Sequence, residues 1–322
     1  MRSTKQLHLD HYWWRLQVDQ KRGFTGTWNR FVTLKKAAEL RLPPPRNDET
    51  TRVHILTSAR DWRCCAWMLV SFFHASGKAW AVTFHDDGTC DRTTQGEIMA
   101  VAPFAQFLSR SEADARMEKR LEAFPRTLAL RRQAPLMLRL LDASMLSDEP
   151  NQLVLSSDLM FFLTPRELLW WEQDRSPASL FLRDFENCYS LSPTEIAGQL
   201  GFEPVRRLNS GIAALRNGFV SLPLIEEALS KIPRLSTEGR WNIEQTLFAI
   251  LAAAKPSDLL PPSYVVSPDE GKPPWAVMRH YVGQVHDQYY SEGLEKMASI
   301  LLSQFSRGRP RRPYRPIWLP VG

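Results

Sequence analysis

Residues 51–88 hold three apolar runs whose order leaves few folds open. TRVHILTS (51–58) is rich in β-branched residues and ends in two hydroxyls, the pattern of a strand buried on both faces. RCCAWMLVSFFHASG (63–77) is apolar on almost every side and stops at Gly77, which predicts a buried helix with a glycine C-cap. WAVTFHDDG (80–88) is a second strand run closing in an Asp-Gly turn. Strand, helix and strand in so short a span form a βαβ unit, whose parallel strands need helices on both faces.

The alternation continues. SRSEADARMEKRLEAF (109–124) opens on a serine cap signal and carries mixed charge, so it predicts an exposed helix. APLMLRLLDASML predicts a more apolar helix, QLVLSS (152–157) a buried strand, and TPRELLWWE a helix opening at Pro165. Strands are expected at SLFLRDF, VRRLNSGIAALR, SYVVS and WAVMRHYVG. Helices are expected at LPLIEEALSKI, WNIEQTLFAILAAA and DQYYSEGLEKMASILLSQF. The expected fold class is α/β, a mixed and mainly parallel sheet between helical layers. The prolines 43–45 mark a boundary. The expected organisation is an N-terminal extension (1–50), one α/β domain (51–303) and a basic Pro/Arg-rich tail (304–322). Ligands bind beyond the C-terminal strand ends of such sheets. That rule selects Thr57–Ser58, Asp86–Asp87 and Ser156–Asp158 as one rim.

Composition excludes several classes. No apolar stretch approaches the roughly 18 residues of a membrane span, and MRSTKQLHLDHYWW lacks the apolar centre of a secretory signal. A cytoplasmic location is expected. The four cysteines have no zinc or disulfide spacing and are read as buried thiols. The net charge of +6 rests largely on the tail, where Arg307, Arg309, Arg311, Arg312 and Arg315 stand without an acid. No nucleic-acid partner is expected. The tail reads as a solvated segment, or as a contact for an anionic partner or membrane surface. Walker, G-x-G-x-x-G, H-E-x-x-H and G-x-S-x-G motifs are absent.

In QLVLSSDLMFF a lone acid follows a buried strand. Such a carboxylate is costly unless it is paired or binds a cation. The runs VHILTSARDW, VTFHDDGT, LLD (140–142), LVLSSDLMFFLTP, LNSGI (208–212), WNIEQTLFAIL (241–251) and HYVGQVHDQYY (280–290) occur in an order that resembles the GT-A glycosyltransferases. These are nucleotide-diphospho-sugar transferases with a Rossmann-like sheet. The likeness is nearest to a bacterial branch related to family 8 and glycogenin-like enzymes, and it spans roughly residues 51–300.

That resemblance implies transfer of a hexose from a nucleotide-diphosphate-sugar donor to a glycan, lipid or protein acceptor, with retention of configuration. It also implies a divalent cation, Mn2+ or Mg2+, on an Asp-X-Asp motif. Here the motif reads Ser156-Ser157-Asp158, so serine replaces the first acid and the cation should bind more weakly. Asp158 and His280, the latter in an H-x-x-G context with Gly283, are the implied metal ligands. Thr57, Ser58, Asp86 and Asp87 are implied near the nucleotide, and Arg139 near phosphate or sugar. Asn209, Ser210 and Gly211 are implied as a turn beside the donor sugar, with Glu244 and Gln245 facing the reaction. Each has a plainer reading: a packed histidine, a common turn, a solvated helix surface, an exposed arginine. Ser156 also leaves open a catalytically inactive GT-A-like domain that binds nucleotide sugar or glycan, and the tail leaves open an interaction module.

Overall fold

The computed structural model describes residues 23–45, 51–147, 149–237, 242–268 and 273–305. The first 22 residues, Trp241 of the WNIEQT motif and the arginine tail from residue 306 lie outside them.

In chain order the strands are β1 (Thr51–Thr57), β2 (Ala81–Asp86), β3 (Gln106–Leu108), β4 (Asn151–Leu155) and β5 (Leu159–Phe161). β6 (Ser179–Arg183), β7 (Leu208–Arg216), β8 (Ser257–Leu259), β9 (Tyr264–Val266) and β10 (Met278–His280) follow. The large sheet has the order β3-β2-β1-β4-β7-β6-β8. β3, β2, β1 and β4 run parallel, β7 runs antiparallel to both neighbours, and β8 is parallel to β6. This is the mixed, mainly parallel sheet expected.

Period-two alternation distributes each strand between two cores. Leu153 and Leu155 of β4, with Ile212 and Ala214 of β7, face the core around Trp67, Phe72 and Phe73. Val154, Ala213 and Leu215 face the core around Leu140, Leu247 and Phe248. Strands buried on both faces read as continuous apolar runs for that reason. The helix Trp62–Ser76 ends at Gly77, whose φ of 68° needs no Cβ. Ser109 and Glu112 form a reciprocal capping box on Arg110–Arg120.

Some elements differ from expectation. Helices also form at Arg92–Val101, Pro125–Gln133 and Pro193–Leu200. WAVMRHYVG contributes only three strand residues, and QLVLSS leaves the sheet after Leu155. The last helix starts as a π turn, Tyr289–Leu294, before Glu295–Phe305. Within that turn a Cβ on Gly293 would meet the Tyr281 hydroxyl at 3.0 Å, so glycine allows the close approach.

A second sheet of order β5-β10-β9 stands beside the large one, with β10 antiparallel to β5. Ser71 Oγ, on the buried helix, accepts the Phe161 amide and ties this sheet to the core. Residues 23–45 pack on the same helix: Ala37, Leu40 and Leu42 are buried, and Trp67 Nε1 donates to Leu34 O at 3.2 Å. Among the described residues no helix is long and apolar enough to cross a membrane.

Candidate active site

β2, β1 and β4 lie side by side and parallel, so Asp86, Thr57 and Leu155 end on one edge. The Asp87 amide donates to Thr57 O at 3.0 Å. Because β7 is antiparallel to β4, its first residues reach the same edge, where the Ser156 amide donates to Gly211 O at 2.9 Å. Between β4 and β5 the chain turns at residues 157 and 158. Asp158 therefore sits at a bend on the rim, outside both strands, with its side chain 23% exposed.

Leu159 pairs with His280 across the small sheet, and Tyr281 N donates to Asp158 O at 3.0 Å. This register sets His280 Nε2 3.0 Å from Asp158 Oδ1. Burial pushes the Asp158 carboxyl up, but the His280 charge and hydrogen bond, the Ser156 hydroxyl and His286 outweigh it. The acid is held well below the usual carboxylate range.

Asn209, Ser210 and Gly211 form no turn. They lie inside β7, where the pairing with β6 shifts register and leaves residues 210–212 unpaired on that side. Asn-Ser-Gly reads as a turn by composition, yet here glycine serves clearance. A Cβ on Gly211 would lie 2.4 Å from His280 Cε1, so the imidazole packs directly on bare backbone.

Asn209 Oδ1 accepts the Gly211 amide at 2.9 Å, and its Nδ2 donates to Asp184 Oδ2 at 2.9 Å. Those two bonds set the orientation of the amide. The same Oδ1 lies 3.0 Å from His280 Nδ1, so Nδ1 must carry the proton. Gln245 is held likewise. Its Oε1 accepts the Ser210 amide at 3.3 Å, and its Nε2 donates to Asp184 Oδ2 and Cys188 O.

Glu244 lies inward, which removes the plainer reading of a solvated helix surface. It is buried, accepts the Ser210 hydroxyl at 2.7 Å and pairs with Arg139 at 3.6 Å. Burial raises its pKa, opposed by Arg139 and Ser210. Arg139 is buried too, and its Nη2 donates to Ser210 O at 2.6 Å. Both of these polar contacts run to the network behind β7.

The nucleotide-side candidates are engaged locally. Thr57 is buried under Cys65 Sγ, and Ser58 Oγ accepts the Asp61 amide at the start of the buried helix. Asp86 Oδ1 accepts the amides of Gly88 and Cys90, while Asp87 Oδ1 accepts Thr89 N and Oγ1. Burial, then Asp61 and Asp158, push the neighbouring Cys64 thiol up to about 12.

Sequence reasoning missed two groups. Asp184 follows β6 and is the shared acceptor for Asn209 and Gln245. A strand-end acid in SLFLRD carried the same signal that singled out Asp158. His286 reaches Asp158 electrostatically from the turn after β10. Nothing in its local pattern marks it.

The donor set fits a cation. With Nδ1–H turned to Asn209, His280 Nε2 faces Asp158 Oδ1 at 3.0 Å. Two Lewis bases so placed need a positive centre between them, a proton or a metal ion. Among the described residues no cluster of three or more His, Cys, Asp or Glu is arranged to hold a metal. Asp158 and His280 would leave the other positions to the ligand or to water.

No family model and no curated protein matches the sequence. Solved structures do match. The galactosyltransferase LgtC, in complex with donor and acceptor sugar analogues, is 11% identical with a TM-score of 0.50, over 80% of this chain and 97% of that one. An active-site mutant of LgtC is 12% identical with a TM-score of 0.50, over 77% and 95%. Mouse xyloside xylosyltransferase 1 in its apo form is 12% identical with a TM-score of 0.48, over 71% and 96%. The protein has the GT-A glycosyltransferase fold.

Proposed function

We propose that this protein transfers a hexose from a nucleotide-diphosphate donor to an acceptor, with a divalent cation, manganese or magnesium, held by Asp158 and His280. The observation that carries this reading is the 3.0 Å approach of His280 Nε2 to Asp158 Oδ1, with Nδ1 tied back to Asn209. The shared fold of a galactosyltransferase described with donor and acceptor sugar analogues supports it. When bound, such a cation neutralises the diphosphate and stabilises it as a leaving group.

The chain's own residues then divide the work. Asp158 presents an ionised carboxylate, and His280 an imidazole whose tautomer Asn209 sets. Asn209 and Gln245, both held by Asp184, are assigned to the donor sugar, where an oriented amide stabilises developing positive charge at the reacting carbon. Glu244 adds negative charge behind Ser210 and Gly211. Arg139 holds that strand segment and contributes positive charge toward the phosphates. Thr57, Ser58, Asp86 and Asp87 line the nucleotide end, and retention of configuration follows the resemblance.

A thermal-shift screen of nucleotide sugars with and without manganese tests this. One donor should raise the melting temperature, more strongly with manganese, and Asp158→Ala should abolish the manganese increment. A parent protein indifferent to every donor would refute the reading.

Ser156 supports a second reading, binding of a nucleotide sugar or glycan without turnover. Its hydroxyl helps hold the Asp158 carboxyl low where the resembled enzymes have another acid. Ser156→Asp should raise manganese affinity. If parent and variant both bind donor while neither releases nor transfers sugar, the binding reading holds.

A further inference from the structure

The helical segment that opens the described chain is inside out for water. Gly26, Asn29 and Thr33 are buried. Asn29 Nδ2 donates to Tyr290 O at 2.9 Å, and Thr33 Oγ1 donates to Asn29 Oδ1 at 2.7 Å. The small and polar face thus packs inward. Outward stand Phe24, Trp28 and Phe31, with 84, 54 and 51% of their surface exposed. Phe24 and Trp28 stack on each other at 6.4 Å, and the Arg30 guanidinium lies over the Phe31 ring at 5.5 Å. A helix whose outer face meets only water carries the reverse pattern.

Charge narrows what the face meets. Lys35 and Lys36 follow the rings, are exposed, and make no ion pair among the described residues. Glu39 is the one acid from residue 23 to residue 42. The Arg41 amide donates to Phe305 O at 2.6 Å, and the sequence after Phe305 carries five arginines and no acid.

We propose that the 24–36 face docks on an anionic lipid bilayer. The three rings enter the interfacial layer, and Arg30, Lys35 and Lys36 meet the headgroup phosphates. Aromatic rings partition to that layer, and long cationic side chains reach headgroups while their stems stay apolar. One weak element gives marginal, reversible attachment, whereas two together anchor, and the sequence holds a second cationic stretch after Phe305. This inference is independent of sugar transfer.

The test is co-sedimentation of the full chain with phosphatidylcholine vesicles, with and without phosphatidylglycerol. Binding is expected only with the anionic lipid and should weaken at high salt. Replacing Phe24, Trp28 and Phe31 together by serine should lower partitioning about tenfold or more with an unchanged circular dichroism spectrum. Lys35→Glu with Lys36→Glu should act in the same direction. Deleting 306–322 should weaken binding yet preserve its dependence on the rings. No binding to anionic vesicles overturns the proposal, as does binding that the serine variant leaves intact. A chain that ignores vesicles but self-associates through these rings overturns it as well, in favour of a second copy.

Discussion

Gly211 shows what one absent methyl group does. Its backbone dihedral is not left-handed, so conformational freedom is not the reason for glycine there. Space is the reason, because an added Cβ would meet His280 Cε1 at 2.4 Å and Nδ1 at 2.5 Å. Gly211→Ala should displace the imidazole, lower stability by about 1–3 kcal/mol and remove the manganese increment in donor binding, read by calorimetry. Asp184 is the other single-residue support. Asp184→Asn keeps the shape but loses the charge that orients the Asn209 and Gln245 amides. Turnover should fall about 10–100-fold with little change in melting temperature. A variant with full kcat/KM would show that these amides need no such anchor.

At the scale of elements, β1 and β2 carry a buried histidine pair. His54 Nδ1 and His85 Nε2 are 2.9 Å apart, and the other nitrogen of each ring is buried without a partner. Burial, then His85 and Arg52, lower the His54 pKa. Burial, then Arg116, push His85 down to about 3. Above about pH 6.5 the rings are neutral whether the chain is folded or not, so pH has no effect through them. Below it the unfolded chain takes up protons that the folded pair refuses, and stability falls. The slope is about 1.4 kcal/mol per pH unit for each ring, continuing toward pH 3 for His85. Urea unfolding at pH 7 and pH 5.5 should show the loss, and His54→Asn should reduce it. Equal slopes in parent and variant would remove the pair as its cause.

β7 teaches a different lesson. Asn-Ser-Gly favours a turn by composition, but pairing with β4 and the shifted register opposite β6 override that preference. The helix at Pro193–Leu200 did have local signals, a Ser192–Glu195 capping box and Gly201 at φ 80°. The short β5 strand had none, because three residues are too few to show a period. β10 is the three-residue core of the longer strand expected at WAVMRHYVG.

Taken as a whole, the molecule includes part of what precedes the triple proline in its core. Leu40 is fully buried against the helix Trp62–Ser76 and its neighbours, and Leu42 N donates to Val101 O at 2.9 Å. We propose that residues 23–45 fold with the domain. Leu40→Ala should cost about 2–5 kcal/mol in chemical denaturation, and a chain begun at residue 51 should melt lower still. Unchanged stability in both would return this segment to the status of an extension.

From sequence alone came the alternating strands and helices, the glycine and serine caps, and the strand-end positions of Thr57, Asp86 and Asp158. These follow from periodicity and from the local chemistry of chain ends, which neighbouring residues carry. The placing of His280 against Asp158, its tautomer, the anchoring by Asp184 and the inward turn of Glu244 belong to the tertiary structure. They depend on strand register and on packing between residues remote in the chain, and no local pattern specifies those.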